Sequence, residues 1–309
     1  MTDAPRRVTA TAPGKVNVTL SVGEVADDGY HPLATLFMAL NLVEQVEARE
    51  AEMLSLRFAP GPIDTEGLEV GEGNLAIRAA RLLAEFTGRE ARAELVIRKQ
   101  VPIAGGMGGG SADAAATLVA LDALWQTNLM REDLADLGAK LGSDVPFALF
   151  GNVAVGTGRG TELAPTLAGG TFEWVLRLSG EGMSTPATYR ALDEHRAEHG
   201  SQLFTKPVPV VPQAALLALR SGDPVALADA MHNDLQAPAL RLRPDLVAAL
   251  EYGEGAGALA GIVSGSGPTL AFLAADAAAA DALAASFRAR GDTVVRANGP
   301  SGGARILAD

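Results

Sequence analysis

Val101-Pro102-Ile103-Ala104-Gly105-Gly106-Met107-Gly108-Gly109-Gly110-Ser111-Ala112-Asp113 is the stretch around which this 309-residue chain is organised. Five glycines fall in six positions. Before them, Ala93 to Lys99 alternates and carries β-branched residues, which predicts a strand. After them, Ser111 to Trp125 is rich in Ala and Leu, which predicts a helix. A strand, a glycine loop and a helix start together present backbone N–H groups to a phosphate. Glycine permits positive φ and close backbone approach. The helix start adds unpaired donors and the positive end of a macrodipole. No lysine follows a glycine in this stretch, so it is not a P-loop of the Gly-x-x-x-x-Gly-Lys type. It is no dinucleotide fingerprint either, because no acidic residue closes a strand about 20 residues on. A flexible linker would carry Ser, Pro or charge around the glycines; here strand and helix signals abut them.

The length suggests about two domains and allows a sizeable core. Aromatic residues are scarce at 5%, so small aliphatics must fill that core. The net charge of −12 argues against nonspecific binding to nucleic acid or a membrane surface, leaving room for a local basic pocket. With no cysteine there are no disulfides, thiolate metal sites or cysteine nucleophiles. Met1 to Arg7 lacks an apolar signal region. No apolar stretch approaches the ~18 residues of a membrane span without Gly or charge. A cytoplasmic protein is expected.

Taken in order, Val8 to Leu20 alternates and is broken by Pro13-Gly14, which predicts two strand pieces hinged there. Lys15 and Asn17 share a face of the second piece. From spacing alone, a solvated face on an edge strand is the plainer account of that pair. Asp27-Asp28-Gly29-Tyr30-His31-Pro32 is a turn signal, followed by apolar strand residues Leu36 to Val43. Asn74 is placed to cap a helix from Leu75. Arg131 to Leu141 is a helix with acids first and Lys140 last, as the macrodipole prefers. Asp144 follows at a break, as either a turn or cap carboxylate or a partly desolvated base; the local pattern does not choose. The first domain is expected to close near Pro165, dividing the chain into residues 1–166 and 167–309. A strand at Trp174 to Leu178 and a helix capped near Ser184-Thr185-Pro186 follow. Thr205 to Pro212 reads as a loop. Helices are expected at Gln213–Ser221, Pro224–His232 and Pro244–Tyr252, and again from Asp276 to Gly291. Ser264-Gly265-Ser266-Gly267-Pro268-Thr269 is another glycine loop, leading into the strand Leu270 to Leu273. Short strands are expected at Thr293–Arg296 and Ala304–Leu307.

Three of these stretches together resemble the GHMP kinases. Pro13-Gly14-Lys15-Val16-Asn17 is similar to the family's first motif, Pro102 through Ala112 to its phosphate loop, and Ser264 through Thr269 to its third. They occur in the family's order. Asp28-Gly29-Tyr30-His31, Gly73 through Ala80, Leu141 through Phe147 and Asn233-Asp234-Leu235 narrow the resemblance. They are similar to the branch whose acceptor is 4-diphosphocytidyl-2-C-methyl-D-erythritol. Two departures stand out: Pro32-Leu33-Ala34-Thr35 after His31, and Ala112-Asp113 where Ser-Asn or Ser-Asp is common.

The resemblance implies an α+β, two-domain fold. Its N-terminal domain would resemble domain 2 of ribosomal protein S5, and its C-terminal domain would be ferredoxin-like. The last strand is free to return to the first domain. It also implies an ATP-dependent phosphotransferase of non-mevalonate isoprenoid biosynthesis, cytoplasmic, a monomer or weak homodimer. Mg²⁺ would arrive with the nucleotide, Ser111 lending a hydroxyl, without a dedicated protein metal site. Lys15 and Asp144 would be catalytic, Asp144 accepting or orienting the acceptor proton and Lys15 offsetting charge. Asn74, Leu75, Lys99, Pro102, Ala104, Gly105, Gly106, Met107, Gly108, Gly109, Gly110, Ser111 and Ala112 would hold the nucleotide. Asn17, Tyr30, His31 and Thr185 would contact the acceptor, with Tyr189 a further candidate. The alternatives are another small-molecule kinase of the family, homoserine kinase-like, and a noncatalytic nucleotide sensor. Tyr30-His31 suits a planar base better than an amino acid, and the presence of both Lys15 and Asp144 speaks against a sensor.

Overall fold

The computed structural model describes residues 6–103, 105–199 and 208–307. The chain opens with two long strands, β1 (Arg7–Val22) and β2 (Leu33–Arg49), then β3 (Ser55–Phe58), α1 (Leu75–Phe86) and β4 (Glu94–Arg98). Three helices follow: α2 (Gly109–Trp125), α3 (Arg131–Leu141) and α4 (Val145–Phe150). A hairpin of β5 (Val153–Thr157) and β6 (Glu162–Pro165) comes next. The second half runs β7 (Phe172–Arg177), α5 (Thr185–His199), α6 (Gln213–Ser221), α7 (Pro224–Ala230), β8 (His232–Asn233), α8 (Gln236–Leu242) and α9 (Asp245–Gly255). It ends β9 (Ala260–Val263), β10 (Leu270–Ala274), α10 (Ala277–Ala289), β11 (Val294–Gly299) and β12 (Arg305–Ile306).

Among the described residues the strands form two sheets. The larger has eight strands built on the path β12-β1-β2-β4-β3, with β5, β6 and β8 branching from it. The smaller is antiparallel in the order β11-β7-β10-β9. Antiparallel pairs dominate and helices do not alternate regularly with strands, which is the expected α+β class. No helix among the described residues is long and apolar enough to cross a membrane.

The core follows the composition. Helix α2 buries Ala112 to Leu121 and Leu124, leaving little of its surface to solvent. A helix apolar on every side must sit inside the fold. It does so between the large sheet and α1, sharing one core with Ala10, Ala12 and Val46 of β1 and β2 on one side and Ala76, Ala80 and Leu83 on the other. Alanine at so many positions lets these layers approach closely. The glycine loop is thereby tied to a deeply buried helix. Around the small sheet, Phe272 and Phe287 pack at 5.1 Å between ring centroids.

Several sequence expectations need correction. Residues 8–20 form one strand, not two hinged pieces. The register shifts between Pro13 and Lys15, a bulge that absorbs the proline and leaves β2 paired on both sides. Nor is β1 an edge: it is flanked by β2 on one side and by β12 and β8 on the other. The helix expected over 224–232 stops at Ala230, because His232 and Asn233 pair in parallel with Thr19 and Leu20. Helix α8 had no sequence signal of its own. The loop expected at 205–212 lies outside the described residues through 207; its remainder carries no regular element.

Two glycines of α9 test the packing. A Cβ on Gly253 would fall 2.2 Å from the Phe272 ring, whereas one on Gly255 would meet nothing within 4 Å. Gly253→Ala is expected to destabilise by about 1–3 kcal/mol through overpacking. Gly255→Ala should be neutral or stabilising by up to about 1 kcal/mol. Chemical denaturation of both variants measures the contrast, and equal effects would contradict it.

Candidate active site

Local chemistry shapes the nest. Gly106 and Gly108 adopt φ of 74° and 73°, a region that glycine occupies without strain. Gly108 caps α2 with no side-chain hydrogen bond, and the first turn carries no acid. The first N–H groups of α2 are left free for an anion, with the helix dipole behind them. The third motif closes on the loop from the other half of the chain. A Cβ on Gly106 would sit 2.0 Å from the Ser264 carbonyl oxygen, and one on Gly105 2.3 Å from Thr269 Oγ1. Glycine is required there for close approach as much as for φ.

Two cavities meet at this loop. One, of about 420 Å³, is lined by Asn74, Leu75, Lys99, Pro102, Gly105 through Gly110, and Ser111, among others. Asn74 also caps α1, accepting from Ala76 N at 2.9 Å, so its structural and site roles coexist. Ala112 is fully buried beneath the loop and does not line the cavity. Ala104 lies outside the described residues. The second cavity, of about 270 Å³, is lined by Lys15, Asn17, Asp144, Thr185 and Tyr189 among others. Gly106 and Gly108 line both cavities.

At the junction stands Lys15. The bulge at Gly14 releases the Lys15 backbone N–H from the ladder, and it donates instead to Met107 O at 3.0 Å. Lys15 Nζ donates to Asn17 Oδ1 at 2.6 Å and Gly106 O at 2.8 Å, and lies 3.5 Å from Asp144 Oδ2. Asn17 is fixed in turn by donating to Thr35 Oγ1 at 2.8 Å. Asp144 precedes α4 but makes no capping hydrogen bond with its side chain. Its carboxylate is not used as a cap and faces Lys15 and the second cavity instead. Thr185 Oγ1 lies 2.8 Å from Ser266 Oγ of the third motif. Burial, and then the Asp144 carboxylate, push the Tyr189 phenol up to about 12.

Tyr30 and His31 do not themselves line the second cavity. Each touches a residue that does. The Arg159 guanidinium lies 3.6 Å from the Tyr30 ring centroid, and the His31 and Tyr189 rings are 5.3 Å apart. His31 Nε2 is 2.8 Å from Asp193 Oδ1.

Lys99 belongs to a cluster that sequence reasoning missed. Its ammonium lies 2.6 Å from both Glu44 Oε1 and Asp113 Oδ2, and Glu44 is fully buried. Glu44 Oε2 accepts from Gln100 N at 2.9 Å. Two carboxylates share one buried cation. Burial, then the Asp113 charge, raise Glu44 to about 8; burial raises Asp113 to about 6. Burial also works against charge on Lys99, but the two acids outweigh it and its value is raised. The available signals were a Glu directly after the apolar run Leu36 to Val43 and an Asp early in an Ala-rich helix. Arg159 was missed as well, although it stands between two glycines.

Among the described residues no group of three or more His, Cys, Asp or Glu is placed to hold a metal ion. Oxygen donors near the junction include the Ser111 hydroxyl in one cavity and the Asp144 carboxylate in the other. That sparse, hard set fits a Mg²⁺ that arrives on a triphosphate and keeps its waters.

A phosphate nest shared by two cavities, with a Lys–Asp pair beside it, defines a small-molecule kinase of the GHMP type. Residues 74–152 match the GHMP kinases N terminal domain and residues 215–293 match the GHMP kinases C terminal domain. The chain is 56% identical over 301 residues to 4-diphosphocytidyl-2-C-methyl-D-erythritol kinase of Clavibacter michiganensis, covering 97% of this chain and 96% of that protein. A crystal structure of 4-(cytidine 5'-diphospho)-2C-methyl-D-erythritol kinase superposes with a TM-score of 0.76 at 33% identity, covering 95% of this chain and all of the other. Homoserine kinase from Cytophaga hutchinsonii superposes with a TM-score of 0.71 over 97% of each chain, but at 18% identity that likeness shows the fold alone. The chain belongs to the 4-diphosphocytidyl-2-C-methyl-D-erythritol kinase family of GHMP kinases, and as such is an ATP-using phosphotransferase.

The buried cluster makes stability depend on pH. Because folding raises both carboxyls, the folded chain holds more protons than the unfolded one between about pH 4 and 8. The stability this confers is full below the unfolded values and is lost as pH rises through about 8. Denaturation midpoints taken near pH ~6 and ~9 should fall for the wild type and fall less for Glu44→Gln. Identical slopes would show that Glu44 does not carry the proton.

Proposed function

We propose that this chain transfers the γ-phosphoryl group of ATP to the 2-hydroxyl of 4-diphosphocytidyl-2-C-methyl-D-erythritol, a cytoplasmic step of non-mevalonate isoprenoid biosynthesis. The observation that carries this reading is the sharing of Gly106 and Gly108 by the two cavities, with Lys15 and Asp144 beside them. A phosphoryl group crossing from one cavity to the other would pass the ammonium and the carboxylate together.

Phosphoryl transfer asks little covalent chemistry of a protein; it asks for position and charge. The nest and the open end of α2 bind the triphosphate through backbone N–H groups. Asn74, Leu75 and Pro102 form the wall of the nucleotide cavity. Mg²⁺, when bound, neutralises phosphate charge, and Ser111 is the residue that would lend it an oxygen. Asp144 orients the acceptor hydroxyl and takes its proton. Lys15, rigid through Asn17 and Gly106, sets charge against the transferring group. Asn17 and Thr185 fix the acceptor near the reacting end, while Tyr30 and His31 serve the base end. In this reading residues 1–166 are the nucleotide-binding domain and 167–309 the substrate-side domain. Support comes from the nucleotide cavity, whose lining runs from Phe58 to Asp113. Further support comes from the acceptor cavity, to which Thr185, Tyr189 and Ser266 contribute.

Asp144→Asn keeps the shape but cannot accept a proton, so kcat should fall by about 10²–10⁴-fold in a folded protein. Lys15→Ala should also remove most turnover. Near-normal kcat in folded Asp144→Asn would remove Asp144 from the role of base. Coupled ADP release with the cytidyl-diphospho acceptor, homoserine and mevalonate in parallel tests the substrate. Release with the first alone is expected, and release with homoserine alone would overturn the assignment.

A further inference from the structure

We propose that Arg159 is the cation that recognises the diphosphate of the acceptor, held at the rim of the acceptor cavity by Asp28 and Tyr30. The inference rests on the reading of the acceptor as a cytidyl diphosphate. Such a ligand brings a second polyanion to a protein of net charge −12, so local positive charge is needed. Among the described residues lining the acceptor cavity, Lys15 and Arg159 are the cations. Lys15 is buried at the reacting end and committed to Asn17, Gly106 and Asp144. Arg159 is therefore the cation available for the rest of the ligand.

Its backbone position is well specified. Arg159 sits in the turn between β5 and β6, flanked by Gly158 and Gly160 at φ of 65° and 90°. Gly160 N donates to Thr157 O at 2.9 Å and closes that turn. Leu33 N donates to Gly158 O at 2.9 Å, which ties the turn to the start of β2, just after Tyr30-His31. The side chain is held from the opposite side. Arg159 Nη2 donates to Asp28 Oδ2 at 2.7 Å, and the guanidinium covers the Tyr30 ring. The guanidinium holds the Asp28 carboxyl below its usual range.

These holding contacts are weak, because both Arg159 and Asp28 are about half exposed, at 52% and 55%. They orient the guanidinium without committing it. A diphosphate offers the paired oxygens that a guanidinium fork matches in two parallel hydrogen bonds, and would outcompete a single solvated carboxylate oxygen. Arg159 touches neither Lys15 nor Asp144 in any hydrogen bond or ion pair of the structure. It should therefore affect capture of the acceptor rather than the transfer step.

Steady-state kinetics with wild type, Arg159→Gln and Arg159→Lys test this, with cytidine diphosphate and cytidine as competing probes. The Gln variant should raise KM for the acceptor by about tenfold, with kcat within about twofold. It should weaken inhibition by cytidine diphosphate by a similar factor and leave inhibition by cytidine unchanged, which also shows the cavity intact. Arg159→Lys should recover only part of the loss, because an ammonium cannot form the fork. An unchanged KM in the Gln variant would overturn the inference. So would equal weakening of both probes, since Arg159 would then act on the base through Tyr30. A wild type inactive on the acceptor would instead overturn the functional reading, and the inference with it.

Discussion

The Lys15 ammonium is the point on which the junction of the two cavities depends. Three partners from three separate parts of the chain converge on it: Asn17 from its own strand, the Gly106 carbonyl from the nest, and Asp144 from the entry to α4. A buried cation without partners is costly. Meeting that cost fixes how strand, loop and helix sit relative to one another. The bulge at Gly14 makes this possible, because it turns the Lys15 backbone toward Met107 while the side chain stays on the face shared with Asn17. In a P-loop enzyme the lysine is part of the glycine loop itself. Here it comes from a strand about ninety residues earlier, and the loop offers it a carbonyl.

A second buried cation lies under the other side of the same loop. Lys99, Glu44 and Asp113 join the end of β4, the middle of β2 and the first turns of α2. The nest is thus braced by charge from below and by the Ser264 backbone from the side. The loop approaches both braces closely: Gly109 leaves 3.1 Å between a Cβ position and Glu44 Oε1, and Gly106 leaves 2.0 Å to the Ser264 carbonyl oxygen, where only glycine fits. These neighbours, and not the glycine backbone, which by itself loses the most entropy on ordering, hold Gly106 and Gly109 in place.

The strongly acidic chain handles anionic ligands by arrangement rather than by net charge. Backbone N–H groups and a helix dipole face one cavity. A strand lysine serves the junction, and an arginine in a hairpin turn stands at the rim of the other. Each donor is held by a local device, whether a bulge, an uncapped helix start or a turn between two glycines. None needs the surface as a whole to be basic.

Much of this was legible from sequence. Asn74 before Leu75 gave the start of α1, and the glycines followed by an Ala- and Leu-rich run gave the nest and α2. Three motifs in order carried the family. The signals are local, and short-range backbone chemistry decides them. What the sequence by itself could not decide is which polar residues are buried and whom they meet. Lys15 and Asn17 read more readily as a solvated edge face, because a period of two says which residues share a side but not what covers it. For Asp144 the local pattern left a cap and a desolvated base both open, and only the structure shows that its carboxylate does not cap α4. Glu44 and Asp113 are sixty-nine positions apart and meet only through Lys99, so no spacing rule could pair them. Their partnership, the end of α7 at Ala230 and the place of Arg159 beside Tyr30 are set by long-range contacts. Those contacts exist only once two sheets and a buried helix have brought distant segments within hydrogen-bonding distance.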